Sequence, residues 1–255
     1  QQNETVDIFN ETFQIAGDDD NTGSTQTTNE LKELKNFADP IYSKSKSISC
    51  IDWLPKSQGM IAVSCVKNIS FDQRAIISGQ TSTSYVLLWD FRQLVKPAAI
   101  LKCDEEIISF RFNPSNQNIV AGATISGQIV LWDIKDVMSV INSKSKTRNG
   151  GSTSGSNGDE EDISSIPIAP ILSSSIDFSH KKPISDIFWL PLKTEINYRG
   201  QLVNESNVDM KQNQQLCTVS GDGSCFIWDI RYDKIAIDDL KHIGRSKHVP
   251  VEKSN

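Results

Sequence analysis

An all-β fold built from three copies of one antiparallel blade is the architecture this sequence predicts, on three observations. First, three segments end alike: Tyr85-Val86-Leu87-Leu88-Trp89-Asp90-Phe91-Arg92, Gln128-Ile129-Val130-Leu131-Trp132-Asp133-Ile134-Lys135 and Cys225-Phe226-Ile227-Trp228-Asp229-Ile230-Arg231. Second, an apolar run closed by proline lies upstream of each: Ile48–Pro55, Ile107–Pro114 and Ile184–Pro191. Third, a middle apolar segment separates the two in every copy. Self-similarity of this kind marks one supersecondary unit copied along the chain, and Trp-Asp at its end is the signature of a β-propeller blade.

The first strand of each copy runs through β-branched and aromatic residues and stops at the proline, which lacks an N–H and restricts the residue before it. The middle strands are Gly59–Cys65, Asn118–Ala123 and Gln215–Gly221. Turns such as Ser126-Gly127 and Asp222-Gly223 join middle strand to Trp-Asp strand, because glycine accepts the positive φ of a tight hairpin. Spacing separates repeat from insertion. Proline to tryptophan is 18 positions in the second copy, 34 in the first and 37 in the third. The first and third copies therefore carry polar surface insertions, placed at 67–84 and 193–213.

Trp89, Trp132 and Trp228, each followed by its aspartate (Asp90, Asp133, Asp229), are expected to fill the layers between blades as core aromatics. Asp52 and Asp186 occupy related places in the first and third repeats and read as structural.

Other segments read differently. Asp18–Glu30 is acidic, then rich in Ser, Thr and Asn. The 143–165 stretch runs from Lys, Gly and Ser into Asp159-Glu160-Glu161-Asp162. Neither holds enough apolar side chains to offset chain entropy, so both are expected to be disordered loops. Leu31, Leu34 and Phe37 recur every third position and predict a short helix over Asn29–Phe37, stopped by Asp39-Pro40. The domain reading is an N-terminal extension at 1–43, a partial propeller at 44–235 with insertions 67–84, 143–165 and 193–213, and a polar tail at 236–255.

Composition narrows function. Net charge is −6 with 37% hydrophobic residues, and the pI near 5.2 argues against a nucleic-acid surface, which needs clustered bases. The basic stretch at 241–253 reads as a solvated tail. No apolar run approaches the roughly 20 residues of a membrane helix. Five cysteines, an odd number without C-x-x-C spacing, read as reduced thiols of a cytosolic protein. His180, His242 and His248 show no metal-ligand spacing with them. The Asn-x-Ser/Thr matches at Asn3, Asn10, Asn68 and Asn204 read as chance, since no secretory signal is seen. There is no phosphate-binding glycine loop, no H-E-x-x-H and no G-x-S-x-G, so neither catalytic residues nor a cofactor are expected. The chain opens on Gln1 rather than Met, which reads as a fragment or a processed start.

A family resemblance sharpens this reading. Leu34–Lys44 followed by Ile48–Pro55 and Ile61–Ser64 resembles the start of the WD-repeat domain of dynein intermediate chains. Phe110–Pro114, Asn118–Gly122 and Gly127–Ile134 resemble the same family's second repeat. His180–Pro191, with Glu195-Ile196-Asn197 and Gly200, is most similar to the axonemal inner-arm intermediate chain of the two-headed dynein. The likeness covers roughly Asn29 to Arg231.

The resemblance implies a non-catalytic scaffold whose propeller docks on a dynein heavy-chain tail and whose N-terminal extension gathers light chains. Its expected partners are dynein heavy chains and other intermediate and light chains, with indirect microtubule association in a ciliary or flagellar axoneme and neither nucleic acid nor membrane. It also implies a hydrogen-bonded His–Ser/Thr–Asp–Trp network in a blade. His180, Asp222 and Trp228 fit it in the third copy, whereas the first two copies lack the histidine and the second has Ser126 where aspartate is usual. Thr25-Gln26-Thr27 resembles the peptide anchor that binds the small dynein light chain by strand addition. Three repeats, where closed propellers use four to eight blades, read as the first part of a longer polypeptide or as blades completed from elsewhere. A WD-repeat adaptor outside the dynein complex is the alternative reading, and a propeller enzyme a third.

Overall fold

The computed structural model describes residues 31, 33–57, 59–70, 73, 82–92, 95–149, 166–197, 199–203, 211–231 and 251–253. Residues from Phe37 onward form one compact unit. It contains the three predicted blades as three antiparallel sheets.

The first sheet is β1 (Lys46–Trp53), β2 (Met60–Lys67), β3 (Ser84–Asp90) and β4 (Ala99–Cys103), paired in that order. The second is β5 (Ile107–Phe112), β6 (Ile119–Thr124), β7 (Ile129–Asp133) and β8 (Leu172–Ser174). The third is β9 (Ile184–Trp189), β10 (Gln215–Ser220) and β11 (Cys225–Asp229). The innermost strands β1, β5 and β9 lie side by side in space. The outer strands β4 and β8 extend two blades beyond the three strands legible in each repeat.

Each Trp-Asp strand meets its middle strand in the same register. Trp89 lies opposite Ile61, Trp132 opposite Val120 and Trp228 opposite Leu216. Each blade also carries one β-bulge at the same place, where Ser49, Ile108 and Ser185 fall out of the ladder. A bulge bends its strand and adds twist there. Gly127 and Gly223 take φ of 94° and 80° in the hairpin turns, the left-handed region that favours glycine.

Trp132 and Trp228 each point toward the preceding blade. Trp132 is buried between the first two sheets with Leu54, Met60, Leu88, Phe110 and Phe112. Trp228 is buried between the second and third with Leu131, Ile187 and Leu216. Burying each such side chain is worth about 1.5–3 kcal/mol. Trp89 has no preceding blade among the described residues. A strap supplies the cover instead: Phe37 packs on Trp89 at 5.4 Å and on Phe91 at 5.2 Å, and Tyr42 meets Tyr85 edge-on at 4.7 Å. Asp39 shapes the strap, its carboxylate accepting the N–H groups of Ile41 and Tyr42.

Three expectations need correction. Leu31 and residues 33–37 are irregular, not helical. Nine residues are too few for a helix without tertiary support, and Phe37 spends its side chain on the Trp89 face. The 143–165 segment is not a loop throughout: α1 (Lys135–Asn149) follows β7 and reaches into it, its first turn started by Asp133, which accepts the Lys135 N–H at 2.9 Å. Val137 and Met138 anchor α1 in the core, with Ile141 packed against it. The 236–255 tail contains β12 (Val251–Lys253), paired antiparallel to the outer edge of β8. An open edge presents unpaired N–H and C=O groups that such a segment satisfies. The 18–30 stretch lies outside the described residues.

Candidate functional site

The most completely built polar arrangement is in the third blade. His180 precedes β9, Thr218 sits mid-β10, Asp222 occupies the β10–β11 turn and Trp228 lies on β11. The Trp228 indole N–H donates to Thr218 Oγ1 at 2.8 Å, and Thr218 Oγ1 is 2.9 Å from His180 Nε2. His180 Nδ1 is 3.1 Å from the Asp222 carboxylate. With the ring proton on Nδ1, every donor in this chain has an acceptor. His180 is 1% exposed and Thr218 0%, and the imidazole stacks on Phe226 at 4.1 Å. Partial burial works against the charge on Asp222. The N–H groups of Lys181 and Ser224 and the His180 ring outweigh it and hold the carboxyl down to about 2.

The other blades lack this network, and register shows why. Thr218 lies two rungs past the residue opposite tryptophan. That place is Val63 in the first blade and Gly122 in the second. Val63 offers no acceptor, so Trp89 is held by packing. Gly122 makes room for the ring itself: a Cβ there would stand 2.5 Å from Trp132. The Trp132 N–H turns instead to the Lys102 carbonyl at 3.1 Å. In the second turn Ser126 bonds the Glu105 carboxylate and lies 2.8 Å from Thr124 Oγ1.

A second cluster lines the innermost strands. Cys50, Ser109 and Asp186 share one register level, each one step past its bulge, and Asp52, Arg111 and Phe188 share the next on the same face. Asp52 and Asp186 are therefore not equivalent positions; they stand one level apart. Arg111 donates to Cys50 Sγ at 3.0 Å and to the Phe110 carbonyl at 2.9 Å, and lies 3.5 Å from Asp186 and 5.3 Å from the Phe188 ring centre. Asp52 accepts the Phe112 N–H at 2.9 Å. Burial raises its carboxyl above the usual range against that bond. These groups tie neighbouring blades together and pair off among themselves. Ser109 Oγ also lies 3.5 Å from Asp186 Oδ1, at the outer limit of a hydrogen bond. Among the described residues, no group of three or more His, Cys, Asp or Glu is placed to hold a metal ion.

The aspartates of the Trp-Asp pairs act locally. Asp90 holds Arg92 at 2.8 Å. Asp229 holds Arg231, whose other side grips Glu195 at 3.0 and 3.1 Å. Gln215 completes the clamp by bonding both Ile196 backbone groups and Asp229. The Glu195-Ile196-Asn197 segment is thus fastened to the third blade. Sequence reasoning did not single out Thr218, Gln215 or Arg111; Thr218 stands two residues past the one opposite Trp228, and Gln215 lies opposite Asp229. Thr25, Gln26 and Thr27 lie outside the described residues.

The third sheet has an outer face turned away from the second blade. It carries Phe188, Val219 and Ile227, exposed by 58%, 41% and 37%, together with Cys217 and Cys225.

Comparison with known proteins bears directly on this architecture. A family model described as the dynein axonemal intermediate chain 3 WD40 domain matches residues 29–253. Dynein axonemal intermediate chain 3 of Danio rerio is 32% identical over 249 residues, 97% of this chain and 25% of the relative. The Mus musculus protein of that name is 34% identical over 248 residues, 93% of this chain and 26% of the relative. Dynein axonemal intermediate chain 2 of Homo sapiens is more distant, 26% identical over 233 residues, 91% of this chain and 29% of the relative. Among solved structures, a chain of the COPII outer coat vertex on membranes aligns with a TM-score of 0.45 at 11% identity, over 81% of this chain and 36% of that one, too slight a likeness to bear on the argument. This chain spans about a quarter of the length of its first relatives. It belongs to the dynein axonemal intermediate chain family, within the WD40 domain that the family model describes.

Proposed function

We propose that this chain is part of a non-catalytic scaffold subunit of an axonemal dynein, located in the cilium or flagellum. In this reading the blades dock on a dynein heavy-chain tail, and the N-terminal extension, through Thr25-Gln26-Thr27, contacts a light chain. Family membership carries the reading. The structure supports it in kind. The polar clusters around Asp52 and Thr218 hold the blades, and the outer face of the third sheet exposes Phe188, Val219 and Ile227, as suits assembly more than turnover. The inner-arm assignment rests on the His180–Pro191 and Glu195–Asn197 segments, the latter clamped by Arg231 and Gln215.

Affinity purification of the tagged intact protein from axonemal extract tests this. Dynein heavy chains should co-purify stoichiometrically and resist washing. Purification with unrelated partners and without heavy chain would favour an adaptor outside the motor.

A further inference from the structure

Two cysteines share the outer face of the third blade, and the family reading gives them no task. Cys217 lies on β10 opposite Ile227, and Cys225 on β11 opposite Val219. They are diagonal neighbours on one hairpin, and their sulfurs are 3.2 Å apart. A disulfide bond is about 2.05 Å long, so forming it brings the sulfurs together from 3.2 Å. The other thiols are placed otherwise. Cys65 and Cys103 are buried, and Cys50 is bonded by Arg111. Cys225 is exposed and Cys217 half-buried.

We propose that Cys217 and Cys225 form a redox-active dithiol, which a low-molecular-weight disulfide such as oxidised glutathione converts to an intramolecular disulfide on this face. The chemistry balances in two exchanges. The Cys225 thiolate attacks one sulfur of the oxidant, forming a mixed disulfide and releasing one glutathione thiolate. Cys217 then attacks the Cys225 sulfur, its proton passes to the departing second glutathione, and the internal bond forms. The two cysteines lose two electrons and two protons; one disulfide becomes two thiols. The roles follow from position. Cys225 is the sulfur that an external oxidant reaches. Burial, together with the neighbouring Cys225 thiol, pushes the Cys217 thiol up to about 11, which suits the resolving member. Proximity favours the second step over attack by a second glutathione. The bond would link β10 to β11 on the hairpin that carries Thr218, Asp222 and Trp228, amid the apolar surface of Phe188, Val219 and Ile227.

Both residues lie in one tryptic peptide, Gln212–Arg231. The intact protein is equilibrated across a series of glutathione ratios, quenched in acid, denatured, alkylated and digested. The expected result is a Gln212–Arg231 peptide two hydrogens lighter that has lost both alkylation sites together, while Cys65 and Cys103 stay fully alkylated. Cys217→Ser should instead accumulate a stable glutathione adduct on Cys225, and Cys225→Ser should leave Cys217 reduced. A wild-type peptide that stays reduced, or that carries only the glutathione adduct, overturns the proposal. So does glutathione on Cys217 in Cys225→Ser to the same extent as on Cys225 in Cys217→Ser. Retained heavy-chain binding by both variants would separate this result from the scaffold reading.

Discussion

Thr218→Val is the sharpest perturbation of the third blade. It keeps the shape of the side chain and removes one oxygen. Valine is sterically suited to the position, because Val63 holds the matching place in the first blade. The change leaves the Trp228 N–H and His180 Nε2 without the partner now 2.8 and 2.9 Å away, in a site where Thr218 is 0% exposed. Each orphaned buried group costs about 1–3 kcal/mol. A total loss of about 2–4 kcal/mol follows, since the two share one partner and their costs do not add fully. That corresponds to roughly 30- to 1,000-fold faster opening. Hydrogen exchange of the Gln215–Trp228 strands in the intact protein reads it directly. Trp228→Phe combined with Thr218→Val should recover part of the loss, because the stranded indole donor is then gone. Protection within about threefold of wild type in Thr218→Val, a change of about 0.7 kcal/mol, would refute the network as a stabilising element.

Other outcomes follow from the same contacts. Trp132→Ala should destabilise the junction of the first two sheets by about 3–5 kcal/mol, seen as lost exchange protection in β6 and β7. Gly122→Ala should cost about 1–3 kcal/mol through overpacking against Trp132, whereas Gly221→Ala, whose Cβ meets nothing nearer than Lys182 at 3.8 Å, should differ little from wild type in the same assay. Asp222 has its carboxyl lowered to about 2 from a reference of about 3.9, so its stabilisation is complete above about pH 4 and lost as pH falls toward 2. Pepsin cleavage of the β10–β11 hairpin should therefore rise across that window in wild type, and Asp222→Asn should be readily cleaved at its upper end already. Residues 1–255 expressed alone should self-associate through the exposed Phe188, Val219 and Ile227 face, and light scattering that shows a clean monomer would contradict this.

The repeat was legible because its signals are local. Trp-Asp, the strand-ending prolines and the turn glycines each act within a few residues, and they placed nine strands. The outer strands β4 and β8 were harder to see. Ala99–Cys103 is apolar but carries no turn signal of its own, and Leu172–Ser174 is only three residues long. Helix α1 was hidden by the polar run after Ile141, although Val137, Met138 and Ile141 carry helical spacing. The opposite error befell Leu31, Leu34 and Phe37, whose spacing of three was mistaken for a helix when Phe37 is needed against Trp89. The places of Asp52 and Asp186 were separable by spacing, since Asp52 stands three residues before Pro55 and Asp186 five before Pro191; residues two apart on a strand share a face, which is why the two looked alike. Thr218 joined the third-blade network for a similarly non-local reason: its partner His180 is 38 residues away.

Cross-linking mass spectrometry of the purified dynein complex tests the central claim most directly. Lys181, Lys182 and Lys193 flank the third blade and offer amine handles around it. Reproducible cross-links from these lysines to the heavy-chain tail, and none to its ATP-hydrolysing head, are the predicted result. Cross-links confined to the head, or an intact complex in which these lysines never link to heavy chain, would contradict the scaffold account.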